Sequence, residues 1–100
     1  MTKVYMLVVL FHSGARRRSR TWGWFSSVAE AKEVFEAHPA LHLENGYYNY
    51  AVIEEVEEGT HSWGTPVVWY RAEGNDADGY DLKILDAPPP FVEGEGNFWA

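Results

Sequence analysis

Phe25-Ser26-Ser27-Val28-Ala29-Glu30-Ala31-Lys32-Glu33-Val34-Phe35-Glu36-Ala37-His38-Pro39 is the stretch on which the fold turns. Ser27 is a strong N-cap and Glu30 stands at the third helical position. That is the spacing of a capping box, in which each side chain can satisfy an orphaned backbone N–H. Val28, Ala31 and Phe35 then share one side of a helix, with Val34 beside them. Glu30, Lys32, Glu33 and Glu36 face water. Pro39 disfavours helical geometry at His38, so the helix ends near Ala37. A helix of about three turns does not persist alone in water, so its apolar side must pack on other structure.

The flanking sequence reads as strands. Upstream, residues 4–11 are an unbroken apolar run, β-branched in part, read as a strand buried on both faces. Residues 21–25, Thr-Trp-Gly-Trp-Phe, read as a second strand in which Gly23 marks a bulge or a close backbone approach. The two make a hairpin whose loop, residues 13–20, carries Arg16, Arg17, Arg18 and Arg20 at its tip. Downstream, residues 41–46 are a connection with Asn45-Gly46 as its turn signal. Residues 47–56, 66–71 and 80–85 read as three further strands. In the last of them Tyr80, Leu82 and Ile84 alternate with Asp81 and Lys83, the pattern of a sheet with one wet face. The expectation is an α+β fold: a single helix packed on a mostly antiparallel sheet of about five strands, in the order β-β-α-β-β-β. Residues 1–87 form one domain, and residues 88–100 are a Pro-rich stop and a C-terminal tail.

From residue 3 to about residue 58 the chain resembles a small domain of unknown function scattered through bacterial and phage genomes. The resemblance rests on Val4-Tyr5-Met6-Leu7 in the first strand and Trp24-Phe25-Ser26-Ser27 opening the helix. It continues through Ala29-Glu30-Ala31-Lys32 and Gly46-Tyr47-Tyr48 to Ile53-Glu54-Glu55-Val56. It implies an architecture and a phage or mobile-element setting, and it brings no catalytic residue. The chain departs from that pattern in its arginines and in everything after Thr60.

Composition narrows the function. One hundred residues with 46% apolar and 16% aromatic side chains suffice for one packed domain. No cysteine is present, so no disulfide or thiolate metal site supplements the core, which fits a reducing cytoplasm. The run at residues 4–11 faintly resembles a signal peptide, but it is short and arginines follow it at once. It is also too short to cross a membrane as a helix. The formal net charge of −7 argues against general nucleic-acid binding, because the long-range field repels phosphate.

Against that acidic body, four of the eight basic residues fall between Arg16 and Arg20. A guanidinium cluster suits bidentate recognition of phosphate or carboxylate. The bland reading is a solvated hairpin tip. His61 and Trp63 sit in a loop context, where an exposed aromatic serves recognition or tucks over an open sheet end. Glu54, Glu55, Glu57 and Glu58 read as a solvated strand end or as a contact for a basic partner. His38, His42 and Glu44 are metal ligands by type only, since Pro39 interrupts the helix that His-x-x-x-His needs. The acidic run from Asp76 to Asp81 echoes a calcium loop but lacks its closing glutamate. Nucleophile elbows, zinc-protease helices and phosphate-binding glycine loops are absent, so no enzyme and no cofactor is expected. Two functions follow. One is a small non-enzymatic binding protein that occupies and modulates a host protein through the arginines and surface aromatics. The alternative is a binder of a phosphorylated small molecule, such as a nucleotide or cyclic nucleotide, working as a homo-oligomer.

Overall fold

In the computed structural model, residues 3–13, 16–44, 46–57, 65–75 and 79–89 are described, the side chains of Arg16, Arg17 and Asn75 excepted. The apolar run makes the first strand, β1 (Lys3–Ser13), the interior of the sheet. Leu7, Val8, Val9 and Leu10 are all fully buried, so successive side chains are covered on both faces. β1 pairs antiparallel with β2 (Arg16–Phe25) on one side and with β3 (Tyr50–Glu57) on the other. β4 (Thr65–Asn75) continues the sheet beside β3, and β5 (Gly79–Leu85) beside β4. The result is one open antiparallel sheet in the order β2-β1-β3-β4-β5, with β2 and β5 at its edges.

Two helices follow β2 where the sequence suggested one. The first, α1 (Val28–Ala37), begins at the cap read from the sequence: Ser27 Oγ accepts the Glu30 backbone N–H at 3.1 Å. Only half of the box forms, because the Glu30 carboxylate accepts from the Ser26 hydroxyl at 3.2 Å. Pro39 ends α1 and also starts α2 (Pro39–His42), at a first-turn position that needs no N–H. The linear order is therefore ββααβββ. In space the strands do not follow chain order, since β3 comes back to the free side of β1.

Ala31 and Phe35 of α1 share a buried cluster with Leu7, Val9, Ile53 and Tyr70. The Phe35 and Tyr70 rings meet edge to face at 4.9 Å, and the Tyr70 hydroxyl donates to the Glu36 carboxylate at 2.6 Å. Burial and the Glu36 carboxylate push the Tyr70 phenol well above its usual range. On the opposite face Val8, Leu10, Val52 and Trp69 form a second buried cluster.

A bulge decides which tryptophan is inside. Leu7 faces Gly23 and Val8 faces Thr21, so Trp22 is the extra residue in β2. In a regular strand Trp22 and Trp24 would share a face. Here Trp22 packs against the α1-side cluster, while Trp24, opposite Met6 on the other face, is 63% exposed.

Candidate binding surface

The arginines do not occupy a hairpin tip. Only residues 14–15 separate β1 from β2, and Arg16 to Arg20 are strand residues paired in register with β1. An edge strand tolerates such a run because one flank faces water, and charge there discourages other strands from pairing. Arg18 lies opposite Phe11 and Arg20 opposite Val9, both on the α1 side of the sheet. Arg17 pairs with His12 and Arg16 with Ser13. Arg18 and Arg20 thus share one face.

Arg20 is held from several directions. Its guanidinium carbon stands 4.5 Å from the centre of the Trp22 ring, a cation–π contact. Its Nη1 is 2.6 Å from Glu44 Oε2. Trp22 is fixed in turn, with its indole N–H donating to the His42 carbonyl at 2.7 Å and its ring edge-on to the His42 ring at 5.0 Å. His42 packs against Phe35 at 6.0 Å, and its Nδ1 lies 2.8 Å from the His38 carbonyl. A continuous line of packed groups therefore runs from the core to an exposed guanidinium.

Glu44 is the one non-glycine residue with a left-handed backbone among the described residues, with φ of 48°. It follows the C-cap of α2, a place where glycine is usual because a side chain strains that conformation. A glutamate here costs backbone energy, and its carboxylate reaches Arg20. Beyond it Tyr47 is exposed, 5.4 Å from the Phe11 ring and 4.8 Å from Tyr48. Burial raises the Tyr48 phenol above its ordinary range, the Glu44 carboxylate adds to this, and Arg20 and Arg18 oppose it. Arg18, Arg20, Trp22, Glu44 and Tyr47 thus form one mixed aromatic and charged surface along the β2 edge.

The other sequence-derived candidates fare differently. His61, Trp63 and Glu58 lie outside the described residues, as do Asp76 and Asp78. Glu54, Glu55 and Glu57 do not make one patch, because alternation in β3 sends them to opposite faces. Glu54 is fully buried, opposite Met6. Glu55 is on the other face, 3.0 Å from Lys3 Nζ and accepting from the Tyr5 hydroxyl at 3.4 Å, and Glu57 shares its side of the strand. The Glu55 carboxylate raises the Lys3 ammonium above its ordinary range. No group of three or more potential metal ligands gathers among the described residues. None of the described helices is long and apolar enough to cross a membrane.

Sequence reasoning considered Glu44 only as a metal ligand by type, gave Tyr47 no place in a site, and missed Asn49. The Asn49 side chain exchanges two hydrogen bonds of 3.1 Å with the His12 backbone, closing the β1 end where β3 has not yet begun. The Asn45-Gly46 turn signal marked this connection, but nothing in it disclosed a left-handed glutamate. No known protein family, curated protein or solved structure matches the chain.

Proposed function

We propose that this chain is a non-enzymatic binding protein that occupies a partner protein through its β2 edge, gripping an acidic segment. The observation that carries the reading is the alignment of Arg18 and Arg20 on one face of an edge strand, beside Trp22 and Tyr47. An edge strand offers a row of backbone donors and acceptors to an extended segment, and side chains at alternate positions supply its specificity. Arginine and exposed aromatics are the residue types that dominate interface energetics. The partner's carboxylates would take over the role that Glu44 plays toward Arg20. A host protein as the target, and a phage or mobile-element origin, extend the resemblance of residues 3–58.

The second reading, a phosphorylated small molecule, draws on the same pair: Arg20 over Trp22 has the chemistry of a phosphate clamp beside a stacking ring. A thermal-shift series separates the two. A Glu- and Asp-rich octapeptide, a panel of nucleotides and cyclic nucleotides, and inorganic phosphate are each titrated at low and physiological salt. A ligand at 100 times its dissociation constant stabilises by about 2.7 kcal/mol, or about 10–20 °C in a domain of this size. A shift with the peptide that disappears in Arg18→Ala/Arg20→Ala supports the protein-binding reading. A shift with a nucleotide alone replaces it with the second reading. No response to any anion refutes both.

A further inference from the structure

The two edges of the sheet differ in a way that points to a partner for the second one. β2 carries charges of a single sign, so antiparallel pairing of two copies centred on its arginine run would set arginine against arginine. β5 carries charges of both signs at symmetric positions. Its sequence is Gly79-Tyr80-Asp81-Leu82-Lys83-Ile84-Leu85. If a second β5 pairs antiparallel with Leu82 at the twofold axis, Asp81 faces Lys83 of the other copy, and Lys83 faces its Asp81. Tyr80 likewise faces Ile84, twice. The two pairs flanking the axis on each side, one charged and one apolar, are complementary in that register.

We infer that β5 is the interface of a symmetric homodimer, in which two sheets join edge to edge into one ten-stranded sheet. Ile84 is 55% exposed at this edge, on the same face as Tyr80 and half-buried Leu82. In the dimer it is covered by the other copy's Tyr80. Asp81 stands opposite Glu73 of its own chain, a like-charged neighbour, and makes no ion pair among the described residues. Glu73 instead binds Arg71 and, at 3.2 Å, Lys83. The second copy's Lys83 supplies the cation that Asp81 lacks, and Lys83 bridges two carboxylates. The inference is independent of the function proposed for β2. The strand order sets the two β2 edges at opposite ends of the joined sheet, about 43 Å apart at about 4.8 Å per strand. Such a dimer would be bivalent toward a repetitive partner.

The test is sedimentation velocity of the full chain over a wide concentration range, combined with register-specific cross-linking. The protein has no cysteine, so an introduced thiol is unique. Leu82→Cys places two thiols directly opposite, with Cβ atoms about 4.5–5.5 Å apart, and should cross-link on mild oxidation. Ile84→Cys places them four residues out of step, about 14 Å apart, and should not. Asp81→Lys turns both attractive pairs repulsive and should weaken association at least about tenfold. Adding Lys83→Asp reverses both partners and should restore it. If Leu82→Cys loses its fold, the unmodified chain and the charge pair still decide. A strictly monomeric unmodified chain overturns the inference, because β5 is then covered by other residues of its own chain or left single. So does equal cross-linking at Ile84→Cys, failure of the charge swap to restore pairing, or growth into open-ended polymers.

Discussion

Trp22 and Trp24 stand two residues apart, yet the bulge between Leu7 and Val8 gives them opposite fates, and this is the sharpest point at which to probe the fold. Trp22→Phe keeps an aromatic ring but removes the indole N–H that reaches the His42 carbonyl at 2.7 Å. Stranding that part-buried acceptor costs about 1–2 kcal/mol. The smaller ring also leaves a gap against His42 and the α1-side cluster worth about another 1 kcal/mol. The sum is about 2–3 kcal/mol. At about 4–8 °C per kcal/mol in a domain of this size, the melting midpoint should fall by about 10–20 °C. Trp24→Phe, at a position 63% exposed, should change stability by less than about 0.5 kcal/mol and the midpoint by less than about 4 °C. Melting followed by far-UV circular dichroism is the suitable assay, because tryptophan emission is itself altered by either change. Equal shifts, or a larger shift for Trp24→Phe, would refute the bulge and with it the platform beneath Arg20.

Ser27→Ala removes the side-chain acceptor of the Glu30 N–H and should cost about 1 kcal/mol, read as a midpoint lowered by about 4–8 °C. Glu44→Gly relieves a left-handed backbone at φ 48° while giving up an exposed ion pair worth about 0–1 kcal/mol. Its stability should stay within about 1 kcal/mol of the parent. Its affinity for an acidic peptide, measured by fluorescence anisotropy, should rise because Arg20 is released. Alkaline stability follows from the two raised phenols, Tyr70 and Tyr48. The native state holds their protons to higher pH than the unfolded chain, whose tyrosines titrate near about 10. Their contribution is therefore complete below about pH 10 and is lost as pH climbs above it. Base titrations of the parent and of Tyr70→Phe should show a shallower loss in the variant; parallel curves would contradict the assignment.

Much of the framework was legible because it rests on short-range chemistry. Ser27 declares a cap through its own side chain, and residues 4–11 declare a strand covered on both faces through composition alone. The arginines misled because a block of like charge reads as loop. An edge strand accommodates the same block, and edge status depends on which strand pairs with which, a long-range property. The acidic run misled for a related reason: neighbours in sequence alternate between faces, so Glu54 is buried while Glu55 and Glu57 lie on the other side. Pro39 was rightly read as an end and wrongly as only an end, since the same missing N–H suits a helix start. The contact between Arg20 and Glu44 spans 24 residues and depends on a left-handed backbone that no residue preference announces.

The placement of β1 has a consequence for how the chain comes off the ribosome. Lys3 pairs with Glu57 and Leu10 with Tyr50, so one whole flank of the most apolar strand waits for partners made some forty to fifty residues later. Until then only β2 and α1 can shield that strand, and much of an eight-residue apolar run lies open to other nascent chains. The arginines of β2 are synthesised directly behind that run, where a cluster of one charge keeps neighbouring chains apart. Their replacement should therefore lower the yield of soluble protein during synthesis even where the purified variant melts at the parent's temperature. For this molecule, the timing of translation and the equilibrium stability of the finished domain are separate properties, governed by different residues of the same hairpin.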